Sequence, residues 1–445
     1  MQDSQKHRRF FLTNIIVGLD IGTSFVRGVL GAINEDGGVE ILCVAKKPSV
    51  DFIRNGAIVN VGQMSIVVKD VIDDLEQNFG YEAHSCVTGI GGKYIESLNS
   101  HGLVPIYSIG KRDREINEDD IKRVIDAARA IMIPPDRETL QVIPKDFIVN
   151  GVNGYKGENV LGTRAVRLEV DVHTITASKT QLSNIAKCVE QAGYDLDYVF
   201  LKTLAATSAV MMKEERELGS ILIDLGGGTT DVIVIIDDAP VCTLSIPAGG
   251  NIVTNDIAYL KGIPLAVAEK LKIESGCCWD ELLVGNDSEV VIPAIGGRPP
   301  EVTRKSELCA IIQSRMREIF TMVKNEIVQR SGLTQLSGSI ILTGGGALMS
   351  GVVELAEYTF KTSSVRIGMP GQFGGVEESY RTPEYATAVG LVLSDRGNFK
   401  KAENGRRDSG VKKSKKSDFE HLTSSSGEEI ASKKGFLSRV KDFFF

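Results

Sequence analysis

The sequence predicts an α/β protein with two related lobes, and three observations support this prediction. Short apolar strands that end in glycine turns occur at 15–24, 221–230 and 339–346. The first two units share a strand–turn–strand pattern about 200 residues apart, which is typical of a duplicated unit. Amphipathic helical patterns lie between the strands, as in α/β folds.

The composition fits a soluble globular protein. The 445 residues are 42% hydrophobic and 24% charged, and this length predicts two to four domains of ~100–200 residues. No apolar run approaches the ~18 residues of a membrane-spanning helix. The seven cysteines form no C-x-x-C pair, which disfavours a zinc ribbon or disulfide framework and indicates a reducing compartment. The apolar stretch before Asp20 is too short, and lacks the cleavage site, for a signal peptide.

The net charge is unevenly distributed. Of the formal charge of −7, residues 396–445 carry +6, with 13 Lys and Arg against 7 Asp and Glu, and the rest of the chain carries −13. An acidic body disfavours a nucleic-acid partner. The basic tail favours an anionic membrane surface.

The first lobe is predicted at 14–92 and 167–198, with 383–394 closing it. Asn14–Ile33 has the pattern of two apolar strands around a glycine turn. Ile66–Phe79 has helical spacing of its apolar residues. Further elements predicted for this lobe are strands at Cys86–Gly92 and Arg167–Ser178 and a helix at Lys179–Ala192, which Gly193 ends.

An inserted domain is predicted at 93–166, where the pattern changes. Its amphipathic helix, Asp119–Met132, is ended by Pro134 and Pro135. A strand pattern follows at Leu140–Asn150. The nucleotide motifs described below all lie outside this segment.

The second lobe is predicted at 199–382, with 238–330 as its upper subdomain. We expect an apolar helix over Tyr198–Met212 to lead into it. Strands at Ile221–Asp224 and Asp231–Ile236 then repeat the pattern of the first lobe.

The end of the sequence predicts a disordered linker and a short amphipathic helix. Residues 395–434 are polar, with few apolar positions. On a helix, 435–445 has an apolar stripe opposite a polar, largely basic face, and at ~16 Å it is too short to cross a bilayer. We predict an interfacial membrane anchor, the alternative being a helix docked on the protein's own body. The predicted membrane residues are Phe436, Leu437, Arg439, Val440, Lys441, Phe443 and Phe444.

The glycine turns predict a site for a polyphosphate. Glycine lets the backbone approach a phosphate without a Cβ clash and exposes N–H donors. Two carboxylates that follow strands, Asp20 and Asp224, suit Mg²⁺ held through water. One glycine turn alone is more often an ordinary turn, but three in this order are specific. The candidate ligand residues are Asp20, Gly22, Thr23 and Ser24; Asp224, Gly226, Gly227, Gly228, Thr229 and Thr230; and Gly344, Gly345 and Gly346.

Together these turns resemble the motifs of the actin-like ATPase superfamily, which includes actin, Hsp70 and sugar kinases. The resemblance implies ATP and Mg²⁺ in a cleft between two duplicated ribonuclease-H-like lobes. It also implies two connecting helices, at Leu201–Val210 and Ala386–Leu393. Glu269 and Lys272 resemble residues of the helix that contacts adenosine, the alternative being an ordinary surface helix.

Within that superfamily, five segments resemble the FtsA family of bacterial cell-division proteins. The resemblance implies an actin-like, filament-forming protein that tethers FtsZ to the cytoplasmic face of the cell membrane at the septum. It also implies recruitment of later division proteins and an FtsA-type domain at 93–166, for which a purely structural insertion is the alternative. The segments are Ile15–Ser24, Gly162–Thr176, Ala248–Ala258, Arg304–Glu326 and Leu342–Met349.

The same resemblance places FtsZ on 238–330 of the second lobe. Candidate contacts at the edge of that surface are Arg304, Glu307, Arg315 and Glu318.

Lys202 stands where Hsp70 proteins have an acidic residue near the attacking water. A protonated lysine cannot accept a proton, so we expect at most weak ATPase activity, with Asp20 or Asp224 left to order water. A metabolic kinase would need a carboxylate base, and an Hsp70-like chaperone would need a large substrate domain after the nucleotide domain. The sequence favours the cytoskeletal adaptor over both.

Overall fold

The computed structural model describes residues 14–34, 36–49, 52–107, 113–293, 299–333 and 338–395. Of the linker predicted at 395–434, Asp395 is instead the buried last residue of a helix, and 396–434 lie outside the described residues, as does the predicted membrane helix at 435–445. Within the described ranges, none of the helices is both long and apolar enough to cross a membrane.

The first lobe is built on a five-stranded sheet. Three strands run antiparallel and two further strands join in parallel, in the order β13-β6-β1-β2-β3. A two-stranded hairpin, β4 (Ile53–Arg54) and β5 (Ala57–Ile58), lies beside it. The strands are β1 (Asn14–Ile21), β2 (Phe25–Ile33), β3 (Val39–Pro48), β6 (Ser85–Ile90) and β13 (Asp195–Leu201).

The second lobe repeats this topology. Its sheet has the order β16-β15-β14-β19-β20, again with three antiparallel strands followed by two parallel ones. The duplication predicted from the two strand–turn–strand units is therefore confirmed at the level of whole sheets. The strands are β14 (Ser220–Leu225), β15 (Thr230–Ile236), β16 (Ala239–Ile246), β19 (Ile340–Thr343) and β20 (Val365–Ile367), with a separate hairpin of β17 (Glu289–Ile292) and β18 (Glu301–Arg304).

Helices cover the sheets, and those predicted to end at Phe79 and Ala192 do so, whereas the one predicted at Asp119–Met132 ends at Arg129. Asn60 caps the first helix by accepting the N–H of Gln63, and Gly80 ends it at a φ of 70°. The helices are α1 (Val61–Phe79), α2 (Glu118–Arg129), α3 (Lys179–Ala192), α4 (Lys202–Val210), α5 (Lys213–Leu218), α6 (Gly250–Lys261), α7 (Leu265–Ser275), α8 (Lys305–Ser331), α9 (Val352–Phe360), α10 (Glu377–Tyr380) and α11 (386–395).

One helix prediction needs correction. We expected a continuous apolar helix over Tyr198–Met212, but Tyr198–Leu201 belongs to β13 and only α4 is helical. The strand forms because these residues pair in parallel with β6, with Leu201 opposite Ile90. An apolar run of this length has no periodicity that separates a short buried strand from a helix.

The inserted domain is a four-stranded sheet covered by α2. The order is β10-β9-β12-β7, and a capping box formed by Asn117 and Asp120 starts the helix. Two short strands, β8 (Arg114–Glu115) and β11 (Arg164–Ala165), pair nearby. The sheet strands are β7 (Ile95–Pro105), β9 (Arg137–Val149), β10 (Val152–Tyr155) and β12 (Arg167–Ser178).

Strand β12 lies elsewhere than the sequence prediction placed it. We assigned 167–198 to the first lobe, yet β12 lies between β7 and β9 in the sheet of the inserted domain. The alternating pattern identified the strand correctly, but it carries no information on which strands pair with it. A deletion of 93–166 would therefore leave β12 without either neighbour.

The inserted domain packs against β16, the edge strand of the second lobe. Ser97 Oγ donates to the carbonyl of Thr243 at 2.9 Å, and Asn99 Nδ2 donates to the carbonyl of Val241 at 3.1 Å. The buried His173 has Nε2 3.0 Å from Thr243 Oγ1. Ser97 and Asn99 satisfy carbonyls that an edge strand leaves unpaired, and these contacts join the inserted domain to the second lobe.

Candidate nucleotide-binding site

A cleft of about 550 Å³ opens between the two lobes, and all three glycine turns line it. Of the predicted ligand residues, only Gly228 is not part of the cleft wall. Gly228 instead packs under the first turn, where an added Cβ would lie 2.8 Å from Thr23 Oγ1. The structure therefore brings together three turns that are up to about 320 residues apart in the sequence.

The first two turns contact each other directly. A Cβ on Gly227 would overlap Ser24 Oγ, which is much closer than side-chain atoms approach one another. The glycine is required by this close approach, because any side chain would push the two turns apart. The N–H groups of Gly22 and Gly226 donate within their own turns, to the carbonyls of Phe25 and Thr229, so donors for a ligand come from the other residues of these turns.

The third turn differs from the other two. Gly344 has a φ of 80°, and a Cβ there would collide with the carboxylate of Asp224. A Cβ on Gly345 would meet nothing within 4 Å. Gly345 therefore faces open space in the cleft and is free to approach a ligand.

Strand register decides which charged groups of the cleft are neighbours. Asp224 on β14 is directly opposite Asp231 on β15, and Asp20 on β1 is directly opposite Arg27 on β2. Opposed residues of an antiparallel pair point to the same face of the sheet. Both hairpins thus direct charged side chains into the cleft.

Lys202, the first residue of α4, supplies positive charge among these carboxylates. Its Nζ lies 2.8 Å from Asp20 Oδ1 and donates to the carbonyl of Ile21 at 2.7 Å. Asp231 Oδ1 accepts the N–H of Gly92 at 3.1 Å, which ties the start of the inserted domain to the cleft.

The acidic groups are electrostatically frustrated. Burial, helped by the charges of Asp231 and Asp20, raises the pKa of Asp224 to about 7, although Lys202 and the hydrogen bond from Thr387 lower it. Burial also raises the pKa of Asp231, against hydrogen bonds from Ser245 and Gly92 and the charge of Lys202. The cleft floor therefore carries more negative charge than the protein itself neutralises.

This excess charge fits the Mg²⁺ implied by the family. Within the described ranges, no group of three or more His, Cys, Asp and Glu side chains is arranged to hold a metal ion. Asp20 and Asp224 would accordingly hold the ion through its water shell, as Mg²⁺ usually prefers. When bound, the ion would supply positive charge to the phosphates.

Replacing Asp224 with asparagine is expected to stabilise the ligand-free protein and to weaken MgATP binding. Because the folded-state pKa of Asp224 is raised, the ionised group opposes folding, and stability falls as the pH rises from about 4 to about 7. Thermal unfolding should show a midpoint at least about 3 °C higher in Asp224→Asn at pH 8, with a smaller difference at pH 5. Equal midpoints at pH 8 would contradict this electrostatic description.

Glu269 and Lys272 line the cleft on α7, but Lys272 is already engaged by the protein. Its ammonium donates to the carbonyl of Gly250 at 3.0 Å, to Thr254 Oγ1 at 2.8 Å and to Glu269 Oε2 at 2.7 Å. Lys272 thus fastens α7 to α6, and Glu269 also accepts from the Thr254 hydroxyl. Contact with a nucleotide would be made by the remaining exposed parts of these side chains.

Sequence reasoning missed several residues of the cleft. Asp231 and Arg27 follow from strand register once the hairpins are recognised. Lys46 and Arg27 both pair with Glu384, at 2.6 and 2.7 Å, and Thr387 donates to Asp224 Oδ2 at 3.3 Å. The pairs with Glu384 join positions more than 300 residues apart, and no local pattern predicts them.

The predicted FtsZ-contact residues lie together around the first half of α8. Arg315 makes two hydrogen bonds to Asp256 on α6, at 2.6 and 3.1 Å, and also pairs with Glu318. Glu307 accepts from Lys261 at 2.8 Å. Arg304 is 65% exposed at its side chain, and its Nη1 lies 3.6 Å from Asp287 Oδ2, farther than the partners of Arg315 and Glu307 lie from them. Arg304 is thus the least constrained of the four.

Comparison with known proteins identifies the family. The family model of cell division protein FtsA matches residues 221–390, and that of the SHS2 domain inserted in FtsA matches residues 92–176. Cell division protein FtsA of Borreliella burgdorferi is 42% identical over 380 residues, which cover 85% of this chain and 90% of the relative. This chain belongs to the FtsA family. The resemblance stated from the sequence is confirmed.

Other FtsA relatives agree in extent. FtsA of Pseudomonas aeruginosa is 39% identical over 380 residues, covering 85% of this chain and 88% of the relative. FtsA of Escherichia coli strain K12 is 35% identical over 388 residues, which cover 85% of this chain and 89% of the relative. The matched SHS2 range extends beyond residue 166 and includes most of β12, in agreement with the sheet.

Solved structures show that the FtsA-family chain has the actin-like fold. A PilM–PilN type IV pilus biogenesis complex has a TM-score of 0.61 at 16% identity, covering 85% of this chain and 97% of that chain. MreB 5 of Spiroplasma citri bound to AMPPNP has a TM-score of 0.51 at 13% identity, and the match covers 88% of this chain and 99% of that chain. The predicted two-lobed actin-like architecture is confirmed.

Proposed function

We propose that this FtsA-family protein is an ATP-binding, filament-forming adaptor. It tethers FtsZ polymers to the cytoplasmic face of the cell membrane and helps to recruit later proteins to the division septum. One observation carries the proposal. Three glycine turns, together with Asp20 and Asp224 from the two hairpins, line one cleft between the duplicated lobes.

The cleft suits a nucleotide in size and chemistry. Its volume of about 550 Å³ lies within the ~300–1,000 Å³ typical of small-ligand sites. The first two turns offer N–H and hydroxyl donors to the phosphates, and the open third turn at Gly345 lies where the nucleoside would approach. The similar MreB 5 structure is bound to AMPPNP, an ATP analogue, which supports ATP as the ligand.

The charged groups of the cleft are arranged for binding more than for catalysis. Lys202 is an ammonium engaged with Asp20, and Asp231 accepts the N–H of Gly92. Neither group is therefore left as a general base, which has to accept a proton from water. Asp224 has a pKa of about 7, but we assign it to the water shell of the Mg²⁺ and not to proton transfer. We therefore propose weak hydrolysis, below about 1 per second, the low end of ordinary enzyme turnover, and a nucleotide that acts mainly by holding the lobes together.

The adaptor role combines three surfaces. The actin-like lobes support self-association into filaments, as family membership and the likeness to MreB 5 indicate. The inserted domain supplies a surface for later division proteins. FtsZ contacts the upper part of the second lobe near α8, where the exposed apolar side chains of Tyr259 and Leu260 directly precede Lys261, which donates to Glu307.

Arg304→Glu is expected to weaken FtsZ binding at least about fivefold. Arg304 is the most exposed of the four candidate residues, so its reversal disturbs little internal structure. Arg330→Glu is a matched control, because it makes the same change at the opposite end of α8, ~39 Å away along the helix axis. Titration of each variant with FtsZ would measure the affinities, and equal weakening by both would place the FtsZ site elsewhere.

The proposal as a whole is tested by sedimentation of FtsZ with vesicles that contain anionic lipid. We expect FtsZ to sediment with the vesicles only when the full chain is present, and more strongly with ATP than without it. Sedimentation of FtsZ that does not depend on the chain would contradict the tether. Equal sedimentation with and without ATP would contradict the role given to the nucleotide.

A further inference from the structure

The side chain of Lys202 runs through a groove built for it. An added Cβ on Gly89 would lie 2.7 Å from Lys202 Cγ, and one on Gly91 would lie 3.4 Å from Lys202 Cδ. Gly89 lies near the end of β6 and Gly91 directly follows the strand, and the absence of side chains at both leaves room for the aliphatic part of Lys202. Only 14% of the side chain is exposed. The position of the ammonium is therefore fixed by packing and not by the ion pair alone.

The ammonium lies between the phosphate turn and the carboxylates. It has two protein oxygens within 2.8 Å, from Asp20 and from the carbonyl of Ile21. An ammonium carries three donors. One is used by the Ile21 carbonyl, and the ion pair with Asp20 lacks hydrogen-bond geometry, so at least one donor remains for a further acceptor on the cleft side. Ile21 directly precedes the first glycine turn, so a phosphate held by that turn would lie close to this donor.

Its charge also acts on the whole acidic floor. Lys202 lowers the pKa of both Asp224 and Asp231, and it is the cation that acts on both of them. Without a positive charge, these carboxylates would repel the phosphates of free ATP. In many nucleotide sites a divalent ion supplies the necessary positive charge.

We propose that Lys202 is a built-in cation of the phosphate site, which lets ATP bind with substantial affinity in the absence of a divalent ion. This inference rests on the proposed ATP binding and specifies how the site recognises phosphate. Lys202 acts here by positioning phosphate oxygens and balancing charge, and it has no part in bond cleavage.

The test is the dissociation constant of ATP, measured by calorimetric titration of the full chain with Mg²⁺ and with EDTA. In the wild type we expect removal of Mg²⁺ to weaken binding about tenfold or less. In Lys202→Met we expect the same removal to weaken binding at least about a hundredfold, since a charge-assisted hydrogen bond to phosphate is lost. Lys202→Arg keeps the charge, although its larger head does not match the groove, and it should depend less on Mg²⁺ than Lys202→Met does.

Two further variants keep the result interpretable. Lys202→Gln keeps a polar side chain in the groove without the charge, so it tests metal dependence even if Lys202→Met folds poorly. Lys69→Met is the matched control: Lys69 also pairs with an aspartate, Asp73 at 2.9 Å, but lies on α1 outside the cleft wall. This control should show the metal dependence of the wild type.

The outcomes separate the two proposals. If the wild type binds no ATP even with Mg²⁺, the proposed function fails. If the wild type binds MgATP but its affinity for ATP falls at least about a hundredfold on removal of Mg²⁺, the proposed function stands and only the role given to Lys202 is wrong. The same conclusion follows if Lys202→Met and wild type show equal ratios of metal-free to metal-loaded dissociation constants.

Discussion

Gly345→Asp is expected to abolish MgATP binding while leaving the fold unchanged. Because a Cβ on Gly345 meets nothing within 4 Å, the ligand-free protein has room for the new side chain. The aspartate would then project into the space that the nucleotide needs and would add negative charge near the phosphates. We expect a loss of at least a hundredfold in affinity, equivalent to about 2.7 kcal/mol.

Calorimetric titration with MgATP measures the effect, and thermal unfolding shows whether the fold is retained. Gly345→Ala is the matched control, because its methyl group fits the open space and carries no charge. We expect it to lose less than about tenfold. Gly227→Val should behave differently, since its side chain must displace Ser24 and would lower the unfolding midpoint as well. Wild-type affinity in Gly345→Asp would show that the third turn is not part of the site.

The duplicated lobes were predictable because their signals are local. Each unit contains an apolar strand, a glycine turn and a second strand within about 20 residues, and such a hairpin forms from its own sequence. The pairing of β12 was not predictable in the same way. Its alternation identifies a strand, whereas its neighbours β7 and β9 are chosen by tertiary packing.

The site shows the same division between local and long-range information. Glycines and hydroxyls of the turns were predicted from the sequence because backbone approach to a phosphate requires those residue types. Asp231 was overlooked although hairpin register places it opposite Asp224. The contact between Lys202 and Asp20 joins residues 182 positions apart and depends on the groove at Gly89 and Gly91. No pattern within a short window encodes such a contact.

The second large effect is expected at the end of the chain, where the sequence predicts an interfacial helix. Phe443→Glu/Phe444→Glu should remove most binding of the protein to vesicles that contain anionic lipid. Each large apolar side chain buried in the interface contributes roughly 1.5–3 kcal/mol, so two of them account for at least a hundredfold in partitioning. The two new carboxylates would also be repelled by the anionic surface.

A charge-matched control separates burial from electrostatics. Ser432→Glu/Ser438→Glu also adds two carboxylates, but Ser438 lies on the polar face of the predicted helix and Ser432 precedes it. This variant should keep the apolar stripe and lose less than about tenfold in vesicle flotation. Equal loss in both double variants would mean that net charge, and not an apolar stripe, governs attachment.

Filament formation should amplify the effect of the tail. One short helix binds weakly, because ordering it offsets much of the gain from burial. A filament presents many tails to one surface, and their combined attachment then becomes firm. We therefore expect wild-type flotation to rise with ATP and with protein concentration, and the phenylalanine double variant to remain unbound in both series. Flotation of the double variant at the wild-type level would show that the tail is not the anchor.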